Sequence, residues 1–171
     1  TAALSNGRIA ALPHIVTGFF QGESSGDSSA DIRLALYRAG WRAFLDAPWF
    51  GHGWARLMSA PMPYLDPAFT DVVKTLHHLH DDALDFAVAG GVAGVALYLT
   101  ILVLPLVAAW RSPSDGFRAS RLYGTAGLLI VYAAGGLTDI TLGQEYHTTL
   151  FVTLNALVLG IFRRPETKAP R

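Results

Sequence analysis

Six consecutive residues, His77-His78-Leu79-His80-Asp81-Asp82, set three imidazoles and two carboxylates side by side. Two kinds of chemistry use such a set. An imidazole with an unperturbed pKa of about 6.5 is partly unprotonated at neutral pH and can take a proton from a hydroxyl. Histidine with carboxylate is also a common zinc ligand set, and His78-x-His80-x-Asp82 matches the start of the HxHxD motif of metallo-hydrolases. The match ends there. Ala83 stands where those enzymes carry a further histidine, and an apolar helix follows where they have a strand and loop. A solvated helix cap would account for one histidine or aspartate, but not for five ionisable groups crowded beside lipid. Upstream, Arg33, Arg38 and Arg42 offer planar, permanently charged forks that pair bidentately with phosphate oxygens. Arg38 and Arg42, four apart, suit solvent or lipid headgroups equally well.

The elements around these residues are helical and apolar. From Phe86 to Trp110 no charged residue interrupts FAVAGGVAGVALYLTILVLPLVAAW, long enough for a tilted helix across a hydrocarbon core roughly 30 Å thick. Pro105 should kink this span without splitting it. Two further runs are near the lower limit of about 17 residues, with the Gly, Ala and Thr content of packed membrane helices. The sequence therefore predicts an all-α integral membrane helical bundle with a helical outer loop and three transmembrane helices. The expected order is a loop region with amphipathic helices over 1–82, a span over 83–110, a loop over 111–121, a span over 122–138, a turn over 139–145, a span over 146–162 and a tail over 163–171. Arg111, Arg118 and Arg121 in the first loop, with Arg163, Arg164, Lys168 and Arg171 in the tail, assign both to the cytoplasm. The turn holding Asp139 and Glu145 has no Lys or Arg and belongs outside, as by parity does everything before Phe86. A polar turn of that kind needs no partner beyond solvent.

Within the outer region, Gln21 to Ala30 reads as a linker, and Ser28-x-x-Asp31 opens a helix running to about Asp46. Ile32, Leu36, Ala39 and Ala43 recur on one face of it, with Arg38 and Arg42 on another. Pro48 and Gly51-His52-Gly53 end it, and residues 59–68, with three prolines, form an irregular loop. Trp41, Trp49, Trp54 and Tyr64 read as interfacial or packing residues. Gly90, Gly91 and Gly94 read as structural, allowing close helix approach.

Composition agrees. The chain of 171 residues is 51% hydrophobic and 15% charged, with a mean hydropathy of +0.34. Thirteen basic residues balance thirteen acidic ones, so there is no dense basic face and nucleic acid is excluded as a partner. Without cysteine there is neither a disulfide framework nor a thiolate metal site. The opening Thr1-Ala2-Ala3-Leu4 carries no initiator and no signal-peptide pattern, which reads as a piece of a longer protein.

One spacing is specific. His80-Asp81, nine residues, then Gly91-Val92-Ala93-Gly94 closely resembles the His-[Asn/Ser/Gln]-x9-Gly-x-x-Gly signature of the O-antigen ligases. Asp31-Ile32-Arg33-Leu34 with Trp41, Ala43, Pro48 and Gly51-x-Gly53 is similar to that family's Arg-Leu…Trp…Ala…Pro-x-x-Gly-x-Gly segment. The resemblance covers residues 30–162. It departs at Asp81, where the family usually has Asn, Ser or Gln, and at Ala89, where an acidic residue is common.

The resemblance implies the C-terminal part of a GT-C-like membrane glycosyltransferase of lipopolysaccharide biosynthesis. Such an enzyme moves a glycan from undecaprenyl pyrophosphate onto an acceptor hydroxyl by inverting transfer, with no metal and no cofactor. It does so on the periplasmic side of the bacterial cytoplasmic membrane, in contact with membrane lipids. The acceptor is lipid A-core for a ligase, or another glycan or a protein for an O-antigen polymerase or protein O-oligosaccharyltransferase. By motif position His80 is the catalytic base, supported by His78 and Asp82. Arg33 binds the donor pyrophosphate, with Arg38 and Arg42 as second candidates. Outside that family, the competing readings are a zinc-dependent membrane hydrolase using His78, His80 and Asp82, and a non-catalytic membrane scaffold.

Overall fold

A computed structural model describes residues 28–161. Most of the linker, all that precedes it, and the tail lie outside the described residues. Five α-helices and three 3-10 turns make up the described chain, which has no strand. The helices are α1 (Ser28–Asp46), α2 (Thr70–Val73), α3 (Asp82–Trp110), α4 (Arg118–Gly136) and α5 (Glu145–Ile161). Among the described residues one helix, α3, is long and apolar enough to cross a membrane.

Helix α1 follows its sequence pattern. Leu36, Ala39 and Ala43 are fully buried, Ile32 packs against the same cluster, and Arg38 and Arg42 are exposed. Burying a leucine side chain of this kind stabilises by roughly 1.5–3 kcal/mol. The helix ends where Pro48 disfavours the α conformation of Ala47. The proline-rich stretch that follows is built of the 3-10 turns Trp54–Arg56, Met62–Tyr64 and Pro67–Phe69. Leu57 and Leu65 from this stretch and Val73 of α2 join the α1 core.

Helix α3 is two limbs joined at a break. Gly91, with φ 62° and ψ −151°, occupies a backbone region open essentially to glycine alone, and the helix breaks there. In an unbroken helix the Val92 and Ala93 amides would donate to the Val88 and Ala89 carbonyls. Here the turn after α1 is inserted between them. Val92 N–H donates to the Pro48 carbonyl (2.7 Å) and Ala93 N–H to that of Trp49 (3.3 Å). The orphaned Val88 and Ala89 carbonyls accept from His52 (2.9 Å) and Gly53 (2.8 Å). Four backbone groups freed by the break are thus all paired again, as a buried break requires.

The interlock is tight on both sides. A Cβ on Gly51 would strike the Ala89–Gly90 peptide, and one on Gly91 would strike the Pro48–Phe50 backbone. Beyond the break the chain folds on itself. A Cβ on Gly94 would collide with the Phe86 carbonyl, and the Phe86 and Tyr98 rings lie 5.3 Å apart although twelve positions separate them.

The first limb, residues 82–90, is therefore enclosed on two sides. Val88 and Ala89 belong to the α1 core; Phe86 belongs to a second core with Tyr98, Leu102, Tyr132, Leu142 and Phe151 from α3, α4, α5 and the α4–α5 turn. The second limb, residues 92–110, is about 28 Å long at the helical rise. At its far end the loop to α4 is closed by Arg121, whose fully buried guanidinium makes a bidentate pair with Asp115 (2.8 and 3.3 Å). Arg121 also donates to Ser112 Oγ and to the Pro113 carbonyl, both at 2.9 Å. Arg118 donates to the Trp110 carbonyl (2.9 Å), a cation on the C-terminus of α3. Two of the three arginines expected to mark the cytoplasmic loop therefore also fasten it.

Candidate functional site

The His cluster occupies the loop between α2 and α3, and His80 is its most constrained member. Among the described residues it is the one non-glycine with positive φ (59°), an uncommon conformation that surrounding contacts must hold. Those contacts come from three directions. The Tyr37 hydroxyl of α1 donates to the His80 carbonyl (2.9 Å). One residue earlier, Leu79 is fully buried and its amide donates to Asp85 Oδ1 (2.9 Å). The His80 ring places Nδ1 3.1 Å from Asp139 Oδ1, and its own amide donates to His78 Nδ1 (3.3 Å).

Asp139 reaches His80 because Asp82 anchors the α4–α5 turn. Asp82 is fully buried; its Oδ1 accepts from the Thr141 amide (2.9 Å), and its Oδ2 from the Leu142 amide (3.0 Å) and the Thr141 hydroxyl. Glycine at 136 lets α4 end against it, since a Cβ there would sit 2.7 Å from Asp82 Oδ2. Both Asp82 oxygens are committed to this turn. The zinc set His78, His80 and Asp82 is accordingly not brought together: the group that converges is His78, His80 and Asp139.

Asp81, the residue at which the sequence departs from the family signature, is the N-cap of α3. Its Oδ1 accepts from the Leu84 amide (2.8 Å), so the carboxylate is turned onto the helix end. Asn and Ser, two of the three residue types usual at this position of the signature, cap helices as well as Asp does. The signature spans a histidine, a cap, a nine-residue limb and a glycine-only break with a second glycine where the limbs touch.

Electrostatics follow the packing. Burial lowers the His78 pKa, and the neighbouring His80 adds to this. Burial raises that of Asp81 against the opposing Leu84 hydrogen bond, and Asp82 adds to the rise. For Asp139 partial burial acts upward, but the Ile140 amide, the His80 hydrogen bond and the fields of His80 and His78 outweigh it, leaving the carboxyl below its usual range. Tyr37 is raised by burial and then by Asp81, with Arg33 acting the other way. Arg33 thus lies within electrostatic reach of the tyrosine that holds His80. Arg42 acts on Tyr64, which is bonded to Asp46, while Arg38 lines a groove between α1 and both limbs of α3. That groove, of about 660 Å³, has walls that include Leu34, Trp41, Asp81, Leu84 and Val95.

Sequence reasoning singled out His80, His78, Asp82 and the arginines. It placed Asp139 where it could approach the cluster but read it as part of a solvated polar turn, and it passed over Tyr37 and Asp85. For Asp139 one signal existed, its placement by parity on the same side as the cluster. Asp85 is 1% exposed, and only its fixed place inside the nine-residue spacer set it apart.

A Pro-x-x-Gly-x-Gly turn thus docks a helical region onto a broken, apolar helix whose N-terminus presents a histidine. The O-antigen ligase family model matches residues 4–99, which include α1, the docking turn, the His cluster and the break. The chain belongs to the O-antigen ligase family. No curated protein and no solved structure matches it.

Proposed function

We propose that this chain carries the catalytic base and the outer loop of a membrane glycosyltransferase that transfers a glycan from undecaprenyl pyrophosphate to an acceptor hydroxyl, that of lipid A-core in the ligase reading. The observation that carries this is the His80–Asp139 pair. With the Nδ1 proton donated to Asp139, Nε2 keeps its lone pair, and the carboxylate stabilises the imidazolium that forms. The acceptor oxygen attacks the anomeric carbon as its proton passes to His80 Nε2. The bond from that carbon to the pyrophosphate oxygen breaks, its electron pair leaves with the carrier, and the configuration inverts. Pyrophosphate is already a good leaving group, so transfer calls on no metal.

Arg33 holds the pyrophosphate beside His80; Arg38 and Arg42, on another face of α1, are the second candidates for that role. His78 flanks the base, and Asp82 supports it by fixing the turn that carries Asp139. The groove beside Arg38 suits an isoprenoid chain. Three helices, α3, α4 and α5, cross the bacterial cytoplasmic membrane, with the His cluster on the periplasmic side.

In the full-length protein, His80→Ala and Arg33→Ala should each abolish surface glycan while the lipid-linked donor accumulates. Normal surface glycan in both variants would sink the reading. The acceptor class follows from which surface glycan disappears in a deletion strain.

A further inference from the structure

Among the described residues, one group of three histidines and carboxylates brings its ligating atoms together: His78, His80 and Asp139, each within 4.8 Å of the others. His80 Nδ1 and Asp139 Oδ1 are already 3.1 Å apart, close to the roughly 3.3 Å between two ligands of a tetrahedral zinc ion bound at about 2.0–2.2 Å. The His78 and His80 rings lie 4.4 Å apart, edge to face, and a ring nitrogen of His78 lies within 4.8 Å of both other donors.

Two features make this more than proximity. Two of the three donors are held from behind by residues that are not themselves donors: Tyr37 on the His80 carbonyl and Asp85 on the Leu79 amide fix His80, and Asp82 fixes the turn behind Asp139, while the His80 amide donates to His78 Nδ1. Such outer partners are what orient ligands in metal sites. The front is open, since the Asp139 side chain is 58% exposed, and three protein donors leave a fourth position for water.

We propose that His78, His80 and Asp139 bind a divalent d-block cation, Zn²⁺ foremost, and that its binding switches transfer off by taking the imidazole that would accept the acceptor's proton. The proposal rests on the base role given to His80. The hard cations Mg²⁺ and Ca²⁺ should not compete, because two of the three donors are imidazoles. A periplasmic enzyme built this way would respond to free zinc without needing metal for its chemistry.

The test uses the full-length protein in detergent or nanodiscs, in metal-free buffer, with Co²⁺ as the spectroscopic probe and Zn²⁺ as the inhibitor. Wild type should give the visible absorption of four- or five-coordinate cobalt, displaced by Zn²⁺ and unaffected by Mg²⁺. His78→Asn and Asp139→Asn should each weaken that band's titration by more than the roughly 10–100-fold that loss of an outer-shell partner costs. Micromolar Zn²⁺ should inhibit wild-type transfer reversibly. The zinc concentration for half inhibition should rise in His78→Asn, each variant being scaled to its own metal-free rate.

Absence of the cobalt band in wild type, an undiminished band in both variants, or stimulation of transfer by Zn²⁺ would overturn the proposal. The cobalt measurement needs no activity, so it decides the metal site even where a variant is inactive. Transfer that survives His80→Ala would defeat the catalytic reading instead, whatever the cobalt shows.

Discussion

At the residue scale the site is a histidine forced into an unusual backbone conformation and presented to a carboxylate from another part of the chain. The hydroxyl of Tyr37 positions His80 through the carbonyl, and it lies 3.5 Å from the Leu137 carbonyl as well. Tyr37→Phe keeps the ring in its packing and removes that hydroxyl's hydrogen bonding, a loss of about 0.5–1.5 kcal/mol. We expect kcat to fall with KM little changed, and Tyr37→Ala to lose protein stability as well. A fall in thermal stability with unaltered kcat in Tyr37→Phe would leave the tyrosine a packing residue. Asp139→Asn should act on kcat directly, because it exchanges the charge facing Nδ1 for a neutral amide; positioned acid–base groups are worth typically 10²–10⁴-fold. Steady-state rates on a lipid-linked donor, with the unfolding temperature as a control, distinguish this from misfolding. Asp81 behaves differently from both. As a cap it should be replaceable by Asn at little or no cost, whereas Asp81→Ala should cost about 0.5–2 kcal/mol in the unfolding free energy.

At the scale of elements the controlling feature is the break at Gly91 and the turn that fills it. Two adjacent glycines give opposite expectations. Gly91 has a positive φ and its Cβ would meet the Pro48–Phe50 backbone, so Gly91→Ala should cost about 1–3 kcal/mol for the backbone region alone, plus whatever the displaced turn loses. Nothing lies within 4 Å of a Cβ on Gly90, and its φ is not positive, so Gly90→Ala should be neutral or gain up to about 1 kcal/mol of helix propensity. Thermal unfolding of the two purified variants checks the pair; equal behaviour would mean that the interlock is not what holds the limbs. Sequence periodicity revealed much here and concealed something too. It located α1, its buried face and the start of α3, because those depend on local spacing. It read residues 83–110 as one span, because hydropathy averaged over a window cannot register a single backbone angle. The glycines that mark the break looked like any small residues of a membrane helix, and their partners, Pro48 to Gly53, are some forty positions away in the chain.

At the scale of the whole molecule, function depends on which side of the membrane the His80 end faces. The same limit on sequence reading applies, since the contact of His80 with Asp139 spans 59 residues and exists only because α4 and α5 bring the outer turn back to Asp82. Parity put both groups on one side; the carboxylate of Asp82 explains why they meet. The opposite end is fastened by Arg121 and Asp115, and its basic residues are what argue for a cytoplasmic location. The proposed spans put Thr138 and Gly116 on opposite faces of the membrane, and both residues are exposed. This chain has no cysteine of its own, so in a cysteine-free full-length background each can be tagged singly. A Thr138→Cys variant should react with a membrane-impermeant maleimide in cells whose outer membrane has been opened, and Gly116→Cys only after the inner membrane is disrupted. Labelling of Gly116→Cys before disruption would place the arginine-clamped loop outside and leave His80 in the cytoplasm, where an undecaprenyl-linked glycan already flipped for export could not reach it.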